Sequence, residues 1–194
     1  MNRYIDIVEN TYRKDIFEKI ENEEFGTLSL FLDIGAMSED TINNSIRIID
    51  KYPKYMGQNS PYSFIESLVD NCNSKLNSFI RVILLLLSYS DEVIIDGNIN
   101  DKRKRISNLF DFDSLKDLNN IDTFSLKDIE YDYKVIIDLA RLALEDKLLV
   151  SFYLIDLKLV LDISENSILV YNEGFDFDVI EKIANIEGLY LREY

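Results

Sequence analysis

The chain has 194 residues, 47% of them apolar, and a formal net charge of −15 from 36 acidic and 21 basic side chains. That length fits one domain with a sizeable core, and the wealth of Ile, Tyr and Phe argues against disorder. So acidic a chain repels nucleic acid and anionic membrane, which are bound through Lys and Arg, and attracts cations and basic proteins.

The acid excess sits at the two ends. Residues 1–50 carry eleven acids and five bases, residues 51–125 ten and nine, and residues 126–194 fifteen and seven.

In chain order, Ile5, Val8, Tyr12, Ile16 and Ile20 recur at three- and four-residue steps and predict a first helix over about 2–22. Residues 27–34 read equally as a short strand or a buried turn. Ser38 is a candidate cap for a second helix whose apolar side is Ile42, Ile46 and Ile49, with Tyr52 at its end and Pro53 as its stop. A third helix starts at Ser60-Pro61 and presents Phe64, Ile65, Leu68 and Cys72 to the core.

Residues 76–90 form a central helix, apolar almost all round. From Asp96-Gly97 to Arg105 the chain reads as its longest loop, followed by a possible short helix over 109–118. Ser125 is read as the cap of a further helix with a stripe of Ile129, Tyr133, Ile136, Ile137, Ala140 and Leu144.

After Lys147 the period changes. Branched and aromatic residues over 149–155 and 157–163 indicate strands, Ser164-Glu165-Asn166 is a turn signal, and 167–171 completes a hairpin. Asp176 or Asp178 caps a short helix to Ile186, Gly188 ends it, and 189–192 reads as a last strand. The expected fold is therefore α+β: a single domain over 1–194 in which a mainly helical part, about 1–147, packs on a small ββαβ unit, about 148–194.

Histidine is absent and Cys72 is the only cysteine. The commonest general base, the usual metal ligand and the partner of a Ser or Cys nucleophile are thus missing, and no disulfide framework is possible. The glycines form no phosphate-cradling loop. Asp96, Asn98 and Asn100 match the first ligand positions of a calcium loop, but Asp101 stands where glycine is required and Ser107 where the bidentate Glu belongs. The expectation is a non-enzymatic protein with no cofactor and no metal. The start of the chain has no apolar h-region and the longest apolar run is far short of a membrane span, so a cytoplasmic setting without membrane contact is expected. The basic run 102–105 reads as a solvated loop.

Acids and aromatics alternate at Glu23-Glu24-Phe25, at Asp111-Phe112-Asp113 and, most densely, from Glu173 to Asp178. A turn between a strand and a helix presents side chains on a rigid scaffold, and aromatic anchors ringed by carboxylates suit a cationic protein surface. The same Phe residues could equally serve the core and the same Asp residues the helix cap. Candidate partner-binding residues are Tyr171, Glu173, Phe175, Asp176, Asp178, Glu181 and Tyr190.

The stretch FYLIDLKLVLDISENSILVYNEGFDFDVIEKIANIEGLYLREY, residues 152–194, resembles C-terminal patterns of the small acidic immunity proteins that neutralise bacterial toxins, including those of contact-dependent growth inhibition. The resemblance implies one-to-one binding over the active site of a cognate basic toxin, often a nuclease, with no direct nucleic-acid contact. Two other readings share the acidity. A nucleic-acid mimic from a phage or plasmid, blocking a restriction or CRISPR effector, would need carboxylates spaced evenly along an elongated surface, and the near-neutral middle third opposes that. A regulatory interaction protein would carry its charge for solubility alone.

Overall fold

The computed structural model describes residues 44–52, 75–99, 123–130 and 132–194. The helices expected over 2–22, 61–72 and 109–118, the segment 27–34, the loop 57–60, Cys72, the basic run 102–105 and the acid–aromatic stretches at 23–25 and 111–113 lie outside those residues.

Three helices and seven strands make up the described part: β1 (Ile46–Asp50), α1 (Leu76–Leu87), β2 (Val93–Gly97), β3 (Thr123–Ser125), α2 (Tyr133–Leu144), β4 (Val150–Leu154), β5 (Leu159–Ser164), β6 (Ser167–Asn172), α3 (Phe177–Ile186) and β7 (Tyr190–Glu193). The strands form one sheet in the order β3-β2-β4-β5-β6-β1-β7, and every neighbouring pair is antiparallel.

This overturns the expected division into a helical two-thirds and a separate ββαβ unit. β1, β2 and β3 come from the part expected to be helical and join the later strands in a single sheet. β4 and β5 are separate strands, joined by a 3-10 turn over Ile155–Leu157 and left-handed Lys158.

The second expected helix fails at β1. Residues 44 and 45 are helical, then the chain extends. Ile46 and Ile49 lie three apart, a spacing that fits a helix stripe, but in a strand they point to opposite faces. Both are buried. A strand covered on both sides loses its alternation and cannot be told from a helix by period alone. Asp96-Gly97 is likewise the end of β2, not the start of a loop. Ser125 closes β3, and its hydroxyl accepts from the Lys127 N–H at 3.2 Å ahead of a 3-10 turn over Leu126–Ile129. α2 starts later, after Asp132, whose carboxylate accepts from the Lys134 N–H at 2.9 Å.

The helices pack on one face. There Ile95, Phe152, Leu161 and Val170 form a cross-strand row within the same buried cluster as Phe79, Ile83 and Leu86 of α1, Ile136 and Leu139 of α2, and Ile180 and Ala184 of α3. α1 contacts both other helices. On the opposite face a second row, Ile94, Tyr153, Val160, Tyr171 and Ile46, is also shielded from solvent.

Local signals were legible where the chain turns. The β5–β6 hairpin closes through the Ser164–Ser167 pair with Asn166 left-handed, a conformation Asn tolerates well. α3 ends at Gly188, φ +70°, with the Leu189 N–H donating to the Ala184 carbonyl at 2.9 Å, the Schellman arrangement that favours glycine. The Lys75 ammonium donates to the Gly188 carbonyl at 2.8 Å and ties the head of α1 to that terminus.

Replacing Leu161, which is fully buried at the sheet centre, by Ala should destabilise the fold by about 2–5 kcal/mol, measured by urea unfolding. In hydrogen exchange the β1 amides, between β6 and β7, should be protected as strongly as those of β5. Exchange at the rate of a frayed segment would contradict the placement of β1 between β6 and β7.

Candidate functional site

Three connections meet at one end of the sheet. The turn after α1 leads into β2 over 88–92, the β4–β5 connection spans 155–158, and the β6–α3 turn spans 172–176. The antiparallel order places the start of β2, the end of β4, the start of β5 and the end of β6 side by side.

The β6–α3 turn is built on Asn172. Its side chain is buried, its carbonyl oxygen accepts from the Gly174 N–H at 3.1 Å and the Phe175 N–H at 2.7 Å, and its amide donates to the Phe175 carbonyl. Gly174 sits tightly against the neighbouring turn: an added Cβ would stand 3.0 Å from the Leu157 carbonyl oxygen, and that backbone would have to give by a few tenths of an ångström. The Glu173 N–H donates to the Lys158 carbonyl at 3.0 Å, so this turn is stitched to the β4–β5 connection. The turn of 88–92 is stitched to the same connection. Asp156 accepts from the Ser90 hydroxyl and, at 3.3 Å, from the Asp91 N–H.

The result is an acidic rim. Asp91, Asp156, Glu173, Asp176 and Asp178 are exposed and Glu92 is half-buried, against the one cation Lys158 within these three turns. Asp176 caps α3, accepting from the Asp178 N–H at 2.9 Å, where the helix dipole favours negative charge. Two aromatics lie among the acids. Phe175 is half-buried and meets Tyr89 edge to face, with ring centroids 5.6 Å apart, while Tyr89 is 53% exposed. Phe177, one turn into α3, lies under the Arg47 guanidinium at 4.9 Å.

Of the residues expected to bind a partner, Glu173, Phe175, Asp176 and Asp178 come together here, and Glu181 lies exposed one turn further along α3. Tyr171 is only 1% exposed. Its ring belongs to the sheet, and it bears on the rim only through its hydroxyl, which donates to the Glu173 carboxylate. Tyr190 lies at the other end of the sheet, opposite Asp50, where β5 and β6 turn back. Tyr89, Asp91, Glu92 and Asp156 were not anticipated. The stretch Tyr89-Ser90-Asp91-Glu92 carries the same mixture of ring and acid as 173–178 and was the available signal, whereas Asp156 has none outside the fold.

Among the described residues no group of three or more Cys, Asp or Glu is arranged to hold a metal ion. Asp96 sits in β2 opposite Ser151, and Asn98 accepts from the Leu149 N–H at 2.9 Å. No described helix is long and apolar enough to cross a membrane. Comparison with known proteins gives no match: no family model, no curated protein and no solved structure.

Asn172→Ala removes three hydrogen bonds and leaves the Gly174 and Phe175 amides without their acceptor. It should cost about 1–3 kcal/mol, seen as a lower urea midpoint. An unchanged midpoint would mean the turn does not depend on this side chain.

Proposed function

We propose that the chain binds a basic protein through this rim, and that the partner is a bacterial toxin of the nuclease class, whose cationic active-site groove the rim covers. In this reading the chain is a cytoplasmic immunity protein and not an enzyme. The observation that carries it is the convergence of three turns that set Asp91, Asp156, Glu173, Asp176 and Asp178 around the Tyr89–Phe175 pair.

The physics suits such a role. Carboxylates on a low-dielectric scaffold steer a cationic partner and raise the rate of encounter. An aromatic pair supplies contact area at little entropic cost, as interface hot spots do. Asp156, Glu173 and Asp176 are held by hydrogen bonds within the chain, so little ordering remains to be done on binding.

The test is the affinity of the purified chain for the basic product of the adjacent upstream gene. The expected dissociation constant is about nanomolar or tighter, with an on-rate that falls steeply as salt is raised. Tyr89→Ala should weaken the complex by about 2 kcal/mol or more. The pair Asp91→Lys and Asp178→Lys should slow association by about tenfold, with a loss of stability of only about 1 kcal/mol because Asp178 lies in the first turn of α3. If the charge reversals leave the association rate as it was, the acids serve solubility and the rim is not the interface.

A further inference from the structure

One cation stands inside the acidic rim. Lys158 directly precedes Leu159, the first residue of β5, which pairs with Leu154 of β4 on one side and Asn172 of β6 on the other. The Glu173 N–H donates to the Lys158 carbonyl at 3.0 Å, so the ladder of β5 and β6 runs one step past the strand ends. Lys158 therefore divides the acids into two groups. Asp91 and Asp156, whose turns share a hydrogen bond, lie on the β4 side. Glu173, Asp176 and Asp178 lie on the β6 side.

The Lys158 side chain is exposed, and among the described residues no ion pair engages its ammonium. The turn itself does not call for lysine. At φ 50° and ψ 44° the backbone is left-handed, a conformation that glycine adopts most easily. Steering does not call for it either, because a positive charge at the centre of the rim weakens the field that draws in a cationic protein. Nor does solubility, since the chain already carries −15. What a central cation does supply is discrimination. A uniformly basic surface meets it as a like charge, whereas a surface with an anion at the matching point gains a pair.

We infer that Lys158 determines specificity by pairing with a carboxylate in the middle of the partner's basic surface. This rests on the reading of the rim as the toxin-binding surface, and it narrows the class of partner. The partner's face is patterned basic, acidic, basic, to match the two acid groups with Lys158 between them. A site that cleaves phosphodiesters has that layout where a carboxylate, as general base or metal ligand, sits among phosphate-binding cations. Lys158 would then reach the reacting centre while the flanking acids occupy the phosphate subsites.

Two expectations of opposite sign separate this from simple charge attraction. If the rim acts only through its net charge, removing a cation from it tightens every basic protein. If Lys158 is paired in the complex, its removal weakens the cognate partner alone.

Biolayer interferometry of the full chain against the product of the adjacent upstream gene, with cytochrome c as an unrelated basic protein, tests it. Lys158→Gln should weaken binding of the upstream product about tenfold, mainly through faster dissociation, and should leave cytochrome c bound as tightly or more tightly. Lys158→Arg keeps the charge and should stay within about threefold of the parent. Lys158→Gly should show the same loss as Lys158→Gln with an unchanged or higher urea midpoint, because the left-handed backbone suits glycine. Misfolding could not then account for the loss. If Lys158→Gln binds the upstream product as well as the parent does, or better, the inference is overturned while the rim reading stands. If the parent chain ignores the upstream product, or Asp91→Lys and Asp178→Lys leave its association unchanged, both are overturned.

Discussion

The insertion of β1 between β6 and β7 is the constraint on which the rest of the molecule depends. Five residues at 46–50 bridge two strands more than a hundred positions later in the chain. Ordering so short a segment costs about 1–2 kcal/mol of backbone entropy per residue. Burial of Ile46 on one face and Ile49 on the other supplies the main compensation, with the Asp50–Arg192 pair at 2.8 Å adding a link from β1 to β7. Without β1 the sheet would end at β6. β7, which pairs only with β1 among the described residues, would then lose its strand partner, while α3 would keep its packing on α1 and on the buried face of the sheet.

What could be read in advance divides along the same line. The three described helices follow from apolar stripes, and Asp176 and Gly188 bound α3 within a residue or two of the reading, whereas the cap of α2 is Asp132 and not Ser125. The β5–β6 hairpin follows from Ser164-Glu165-Asn166. These are local signals, each complete within a dozen residues. β1 has no local signal of its own. Its apolar residues match a helix stripe, and what makes it a strand is the pair of partners waiting on either side of it. β2 fails for a related reason: Val93, Ile94 and Ile95 are all buried, so the strand shows no alternation, and the Asp-Gly that closes it reads as a turn.

The rim shows the same split. Glu173 to Asp178 was legible because acids and rings alternate within six residues. Asp91 and Asp156 are 65 positions apart in sequence and share a hydrogen bond only because the sheet brings their turns together. The burial of Tyr171 has a physical reason too. A tyrosine beside an acidic turn looks like an anchor, but at the end of a strand covered on both faces the ring is core and only the hydroxyl reaches the acids.

Clustering carboxylates at one end of a sheet is unfavourable on its own, because like charges within a few ångströms repel. Nothing in the packing of the core demands it: the buried rows are apolar, and every rim acid except the half-buried Glu92 is exposed. Part of the cost is offset internally. The dipole of α3 and its first-turn amides favour Asp176, the Ser90 hydroxyl and the Asp91 amide favour Asp156, and the Tyr171 hydroxyl favours Glu173. These bonds orient Asp156, Glu173 and Asp176, so a cationic partner would find part of the rim already ordered. A solubilising surface needs only the charge. A binding surface would also benefit from fixed geometry, which is what the proposed reading of these turns rests on.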